Sequence, residues 1–590
     1  MTGADTTSSW NTAYRQREDL SAFGSAGLAL FAMALKFGYD DLETIGADAV
    51  VDGPDDKGCD VVYIDRDLSI AIVAQAYRAE SPRASAQDNK AATLRQGLSY
   101  LLEVAIDKVP ERLKASAIAL RTAISEGDVD QIHIWFVHNC PASPNVAKEV
   151  SAVEETASSV LKSRFKDRSV SIYAEEISSP VLEKLYTDTN TPILVNDPIE
   201  FETAPGLAFD EGDWHCLVVP LQLRLLQDLY TRHKTNLFSA NVRDFLGVKA
   251  GDSNINYQMQ KSLREKPTNF FVYNNGLTVL THKIEQESIE GNRVRVRVHG
   301  LSIVNGAQTT GTIGTSNERP PESAYVLARF ISTQAEELVA DVVRYNNSQN
   351  AVTASDFRST DPTQRRLVDE MKVIPDAEYD GGRRGGVSAA IKRRPKLLPS
   401  YSVGQALATF HGSPTVAYNE KSAIWSRDGL YSRFFNDSLT ATHIVFAYGL
   451  LRAIESEKND LRTKESAGVV QLTSAEKAKL AFYRKRGSAF LLAAAVAECL
   501  ETIIETVVPN RFAVSFGNKV SPDEAVRIWS PTVQVLSSLH TYLDPAFSDG
   551  LKNQERVADT TRAFSQLVAS LRVPYATFFD TVKNAVVRVH

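Results

Sequence analysis

The chain has 590 residues, 43% of them hydrophobic and 23% charged, with a formal net charge of -7. That length and composition exclude a disordered chain and suit a globular protein of several domains. The four cysteines form no CxxC pair, which argues against a disulfide framework or a zinc site, and the opening residues lack a secretory pattern, so a soluble, cytoplasmic protein without membrane contact is expected.

In chain order, residues 21–37 read as an apolar helix, 47–64 and 69–77 as paired strands around an Asp-Arg-Asp turn, and 86–106 as a helix. Strand-like runs at 131–139 and 169–177 flank a helical stretch at 147–161. The order α-β-β-α-β-α-β predicts an α/β unit over residues 1–185, a mixed sheet flanked by helices. Residues 186–212, with Pro and Asp, are expected to be a linker. An α+β unit is expected over 213–460, where strands close on Asn-Gly turns, and a helical region rich in Ala, Leu, Glu and Lys over 461–590.

The first chemistry-bearing stretch is KGCDVVYIDRDLSIAIVAQAYR, residues 57–78. Magnesium-dependent phosphodiester hydrolysis on a hairpin uses an Asp near one strand, an acid or Gln on the next, and a Lys two residues later. Asp60 takes the first position and Gln75 the second, and strand alternation puts Gln75 and Tyr77 on one face. The stretch resembles the PD-(D/E)xK, or restriction-endonuclease-like, superfamily, with QxK replaced by QxY at 75–77. A phenol carries no positive charge at neutral pH, so Tyr77 cannot replace the ammonium.

Lys90, on the following helix, is the candidate substitute cation, whereas Arg78 turns to the opposite face. The resemblance therefore implies Asp60, Gln75 and Lys90 as catalytic residues, with Asp60 and Gln75 holding Mg²⁺ or Mn²⁺; the other reading is a domain that no longer cuts. Relatives often carry a Glu on the helix before the hairpin; residues 21–37 have none, and Glu18 lies near that helix's start. Asp52, Asp55 and Asp56 read as a solvated turn, with Asp56 able to assist a metal.

Four segments of the middle region, LFSANVRDFLG (237–247), NFFVYNNGLTVL (269–280), LSIVNGAQTTGTIG (301–314) and VVRYNNSQNAVTASDFRSTDPTQRRL (342–367), occur in an order that resembles the abortive-infection phage-resistance family, AIPR. Amides suit base edges and arginines suit phosphates, which makes Arg243, Asn274, Asn275, Asn305 and Gln308 candidate nucleic-acid contacts. Asn-Gly pairs are also ordinary turn chemistry. Arg383, Arg384, Lys392, Arg393 and Arg394 form a cationic run that reads either as a phosphate-contacting loop or as a solvated one.

The resemblance implies a prokaryotic antiphage protein that acts on or senses DNA or RNA. Cleavage, non-catalytic sensing of nucleic acid or a phage or co-encoded protein, and a purely protein-binding toxin or inhibitor all remain open. No Walker A loop, HExxH, GxSxG or Rossmann glycine run supports another enzyme class.

Overall fold

The computed structural model describes residues 9–81, 83–190, 195–233, 262–314, 318–333, 361–382, 394–467 and 471–588, with isolated positions between some of them. Helices α1 (Ser9–Arg15), α2 (Ala26–Phe37) and α3 (Leu42–Ala49) lead into the hairpin β1 (Val61–Asp65) and β2 (Ile70–Tyr77). There follow α4 (Asp88–Leu102), α5 (Glu111–Glu126), β3 (Gln131–His138), α6 (Pro144–Arg164), β4 (Ser171–Ile177) and α7 (Ser179–Asn190). The strands form one sheet in the order β1-β2-β3-β4, with β1 antiparallel to β2 and the other pairs parallel. Ile72, Ala74 and Trp135 pack against α2 on one face. Val73, Ile132 and Ile134 pack against α4 and α5 on the other. Helices on both faces remove any need for polar alternation, so β2 reads as a nearly continuous apolar run.

The first strand is shorter than expected. Residues 47–60 are the end of α3 and a loop, because Gly53, Asp55, Lys57 and Gly58 all take positive φ, which no strand accommodates.

The second body contains β5 (Val195–Thr203), β6 (Leu207–Glu211), β7 (Trp214–Gln222), α8 (Leu223–His233), β8 (Leu277–Thr281), β9 (Lys283–Ile289), β10 (Arg293–Asn305), α9 (Ala307–Gly314) and β11 (Tyr325–Thr333). Its sheet runs β5-β10-β8-β11-β7-β6, with β9 also on β10. Leu226 and Leu229 of α8 and Ile313 of α9 pack in one cluster with Leu217, Val279 and Phe330. The stretch expected to be a linker thus supplies the end of α7 and two strands of this sheet. Pro198 is tolerated because β5 lies at the end of the strand path, where one missing donor leaves the ladder intact.

Helices α10 (Pro362–Met371), α11 (Ser400–Phe410), α12 (Ala441–Ala467), α13 (Ser474–Tyr483), α14 (Ser488–Glu498), α15 (Pro522–Leu536), α16 (Gln554–Ser570) and α17 (Arg572–Ala585) build the third body. Its apolar core is continuous from Leu367 to Val582. The boundary expected at residue 460 therefore falls inside α12. Among the described residues no helix is long and apolar enough to cross a membrane.

The helical body docks on the first sheet through charges. Arg486 donates to Asp48 Oδ2 at 2.9 Å, to Val62 O at 2.6 Å and to Ser116 Oγ at 2.9 Å. Arg452 reaches Glu43 at 2.6 Å, Lys421 donates to the Tyr63 hydroxyl at 2.8 Å, and Ser422 donates to Asp67 at 2.6 Å. Burial pulls Lys458, on the same seam, down to about 8 despite the nearby Asp48.

Candidate functional site

The loop 51–60 is shaped from its own polar groups. Asp56 accepts from Gly53 N at 3.0 Å and from Gly58 N at 2.8 Å, closing a tight turn. Asp60 N donates to Ala74 O at 2.8 Å, and Ala76 N donates back to Asp60 Oδ2 at 2.6 Å, which pins that carboxylate against β2. Helix α4 closes over the loop with little room: a Cβ on Gly97 would sit 2.8 Å from Lys57 O and inside contact distance of Cys59 Sγ. Gly97→Ala should therefore lower the thermal midpoint, although alanine ordinarily favours a helix by about 1 kcal/mol over glycine. A melt of the two proteins checks this.

The outcome is that Asp52, Asp56 and Asp60 each bring a carboxylate oxygen within 4.8 Å of the others. Asp60 is 6% exposed. Burial, then the Asp52 and Asp56 charges, push its carboxyl well above the ordinary range, against the Ala76 N–H and the Lys90 ammonium. Asp52 is raised by burial and by Asp56, and opposed by Arg462, Ser25 and Arg112. Carboxylates crowded in this way favour either a shared proton or a cation. Three oxygen donors suit a hard divalent ion, so the residues present fit Mg²⁺ or Mn²⁺.

Gln75 is buried, and its Nε2 donates to Thr93 Oγ1 at 3.0 Å. The Thr93 hydroxyl lies 2.7 Å from Lys90 O and 3.3 Å from the Gln75 amide oxygen, two acceptors for its one proton. Tyr77 shares the α4 side with Gln75 but packs with Ala91, Phe136 and Val146, and the Arg83 guanidinium lies 6.0 Å from its ring centre. Arg78 points to the opposite side, 5.4 Å over the Tyr14 ring. Lys90 is exposed on α4, and its charge bears on Asp60. Asp55 pairs with Lys57.

Asp52 was missed by sequence reasoning. The acidic stretch read as a solvated turn, whereas the positive-φ loop folds Asp52 back onto Asp60. The spacing Asp52, Asp56, Asp60 was the available signal.

The candidate recognition residues divide differently. Asn274 Oδ1 accepts from Gly276 N at 2.9 Å, and its Nδ2 donates to Thr309 Oγ1 at 3.0 Å, joining the turn before β8 to α9. Asn305 pairs with Thr278 at the end of β10, so both asparagines lie near one end of the sheet, with Asn275 exposed beside them. The Gln308 side chain, Arg243, Arg383, Arg384, Lys392 and Arg393 lie outside the described residues. Of the cationic run, Arg394 is paired with Glu378 at 3.1 Å and with Asp380, and Lys396 with Asp376 at 2.6 Å. Acids upstream of the run thus neutralise its described end, which the run alone did not reveal.

The segments around Asn274 and Asn305 belong to a recognisable family pattern. Residues 238–447 match the AIPR protein family. The AIPR match begins after β7 and α8, includes the second sheet from β8 to β11 and extends into α12, thereby bridging the second and third bodies. It leaves the acidic loop and the first sheet outside. No curated protein and no solved structure gives a significant match to the chain.

Proposed function

We infer that the protein is a prokaryotic antiphage protein of the abortive-infection type whose first α/β unit cuts nucleic-acid phosphodiesters with a divalent cation. The AIPR match supports the defence role. The convergence of Asp52, Asp56 and Asp60 carries the chemical reading. The antiparallel hairpin followed by two parallel strands, with helices on both faces, agrees with the restriction-endonuclease-like resemblance of the same stretch.

In this reading Asp52, Asp56 and Asp60 hold the cation, and the Gln75 amide oxygen is the additional hard ligand in reach of the hairpin. When bound, the ion would activate a water and offset charge on the phosphate. Lys90, exposed beside the centre, draws the anionic backbone toward it and takes the electrostatic part of the absent lysine. Tyr77 serves packing, held between the α4 side of the sheet and Arg83.

The apolar packing of Tyr77 favours a second reading, in which the centre is kept for binding and cuts nothing. Labelled single- and double-stranded DNA and RNA, incubated with Mg²⁺ or Mn²⁺ against chelator, separate the two. Cleavage by the wild type that falls at least about a hundredfold in Asp60→Asn is the expected result. Asparagine keeps an oxygen for the Ala76 N–H and removes only the charge. If neither protein cuts any substrate with either metal, while one nucleic acid binds both equally, the function is recognition.

A further inference from the structure

The acidic loop is not held by its own unit alone. Arg112, on α5, is 7% exposed and donates from Nε to Pro54 O at 3.1 Å and from Nη1 to Val51 O at 3.3 Å and to Asp52 O. One guanidinium therefore holds three carbonyls of the segment that presents Asp52. The fit requires Gly53, where a Cβ would lie 2.6 Å from Arg112 Nη1. The other arm of Arg112, Nη2, pairs with Glu465 of α12, more than 350 residues away in sequence. Glu465 is in turn fixed by Arg484 at 2.6 Å.

One turn before Glu465, on the same helix face, Arg462 is 8% exposed. Its Nη2 donates to Ala22 O at 3.0 Å, and its guanidinium stacks 4.9 Å from the Phe23 ring centre. Its Nη1 has no hydrogen-bond partner among the described residues. A buried guanidinium with a spare donor is expensive unless negative charge is nearby, and Asp52 supplies it.

We propose that α12 of the helical body positions the acidic centre: Glu465 locks Arg112 onto the backbone of residues 51–54, and Arg462 balances the charge of Asp52, so that the centre binds its cation only with the helical body docked. The metal part of this proposal rests on the function inferred above; the clamp on the loop does not. Glu465 and Arg462 are positioning residues, acting through Arg112 and Asp52. The consequence is a regulatory link, since any partner that shifts α12 away from α5 loosens the ligands without touching them.

The test uses the full-length protein with Mn²⁺ as the probe and Glu465→Gln, Arg112→Lys and Glu43→Gln as variants. Glu43 pairs with Arg452 on the same seam, so it reports the general cost of a lost ion pair. Lysine at 112 keeps the charge but not the fork that spans three carbonyls. Glu465→Gln and Arg112→Lys are expected to weaken Mn²⁺ binding about tenfold, the lower end for partners that orient metal ligands. Both should also speed amide exchange across residues 51–60 in the metal-free protein, whereas Glu43→Gln should change neither. If all three variants lower the melting midpoint alike, with exchange at 51–60 and Mn²⁺ affinity within twofold of wild type, the proposal is overturned. A wild type that binds no Mn²⁺ overturns its metal part, and the exchange measurement then decides the clamp by itself.

Discussion

Arg486→Met should cost about 3 kcal/mol at pH 7, the lower end for breaking a buried ion pair from one side. The lower end applies because Asp48 keeps 21% of its side chain exposed against 9% for Arg486. The substitution strands Asp48 and removes the donors to Val62 O and Ser116 Oγ. In the intact protein burial pushes the Asp48 carboxyl up, but Arg486, Lys458 and the Gly487 N–H outweigh it and hold it below the ordinary value. A depressed folded pKa gives stability that is present above the unfolded pKa of about 3.9 and lost as pH falls through the folded value. Without Arg486 the burial effect dominates, so the carboxyl moves up and can shed its charge by protonation. The deficit of the variant should therefore shrink as pH is lowered from 7 toward 4. Asp48→Asn added to Arg486→Met should recover much of the loss at pH 7. Urea midpoints at the two pH values check both statements, with the first transition carrying the effect because the chain has three bodies and need not unfold in one step. A deficit independent of pH and unrelieved by Asp48→Asn would mean that lost packing, not stranded charge, sets the cost.

This seam also shows where sequence reasoning stops. Within the first unit, hydrophobic period and turn chemistry were enough to anticipate the β1–β2 hairpin and the sheet flanked by helices, because those signals are local. On α12, Arg452, Glu455, Lys458, Arg462 and Glu465 recur at helical spacing, and a charge stripe of that kind ordinarily faces solvent. Glu455, Lys458 and Arg462 are instead at most 8% exposed. The counter-charges of Arg452, Lys458 and Arg462, which are Glu43, Asp48 and Asp52, lie some 400 residues earlier, and a helix carries no local mark of a counter-charge so distant in sequence. The same limit hid the division into bodies. Ala441–Ala467 is one helix with a continuous core on either side of it in sequence, so no change of composition near residue 460 marks a boundary there. Asp52 was lost for a different reason: a loop with four positive-φ residues has neither the strand nor the helix period, so the direction of its side chains could not be read in advance.

Asp60→Asn should reverse its effect on stability when metal is added. In the metal-free protein burial and the neighbouring acids raise the Asp60 pKa, so between the unfolded value of about 3.9 and the raised folded value the native state binds more protons than the unfolded one. Stability at this site then falls as pH rises through that window, so at neutral pH the buried carboxyl is a net liability. Asparagine still accepts from the Ala76 N–H, now held at 2.6 Å by Asp60 Oδ2, without the charge. The metal-free variant should therefore melt above the wild type at pH 7, with the difference closing toward pH 4, where Asp60 is protonated anyway. Saturation with Mn²⁺ at a hundred times its dissociation constant should stabilise the wild type by about 2.7 kcal/mol and the variant by much less, since one of three ligands is gone. The ranking of the two proteins therefore inverts on adding the ion. Melting curves at pH 4 and pH 7, with and without Mn²⁺, decide the matter. A variant that is less stable in every condition, beside a wild type indifferent to the ion, would make the three carboxylates a structural turn and remove the chemical basis of the cleavage reading.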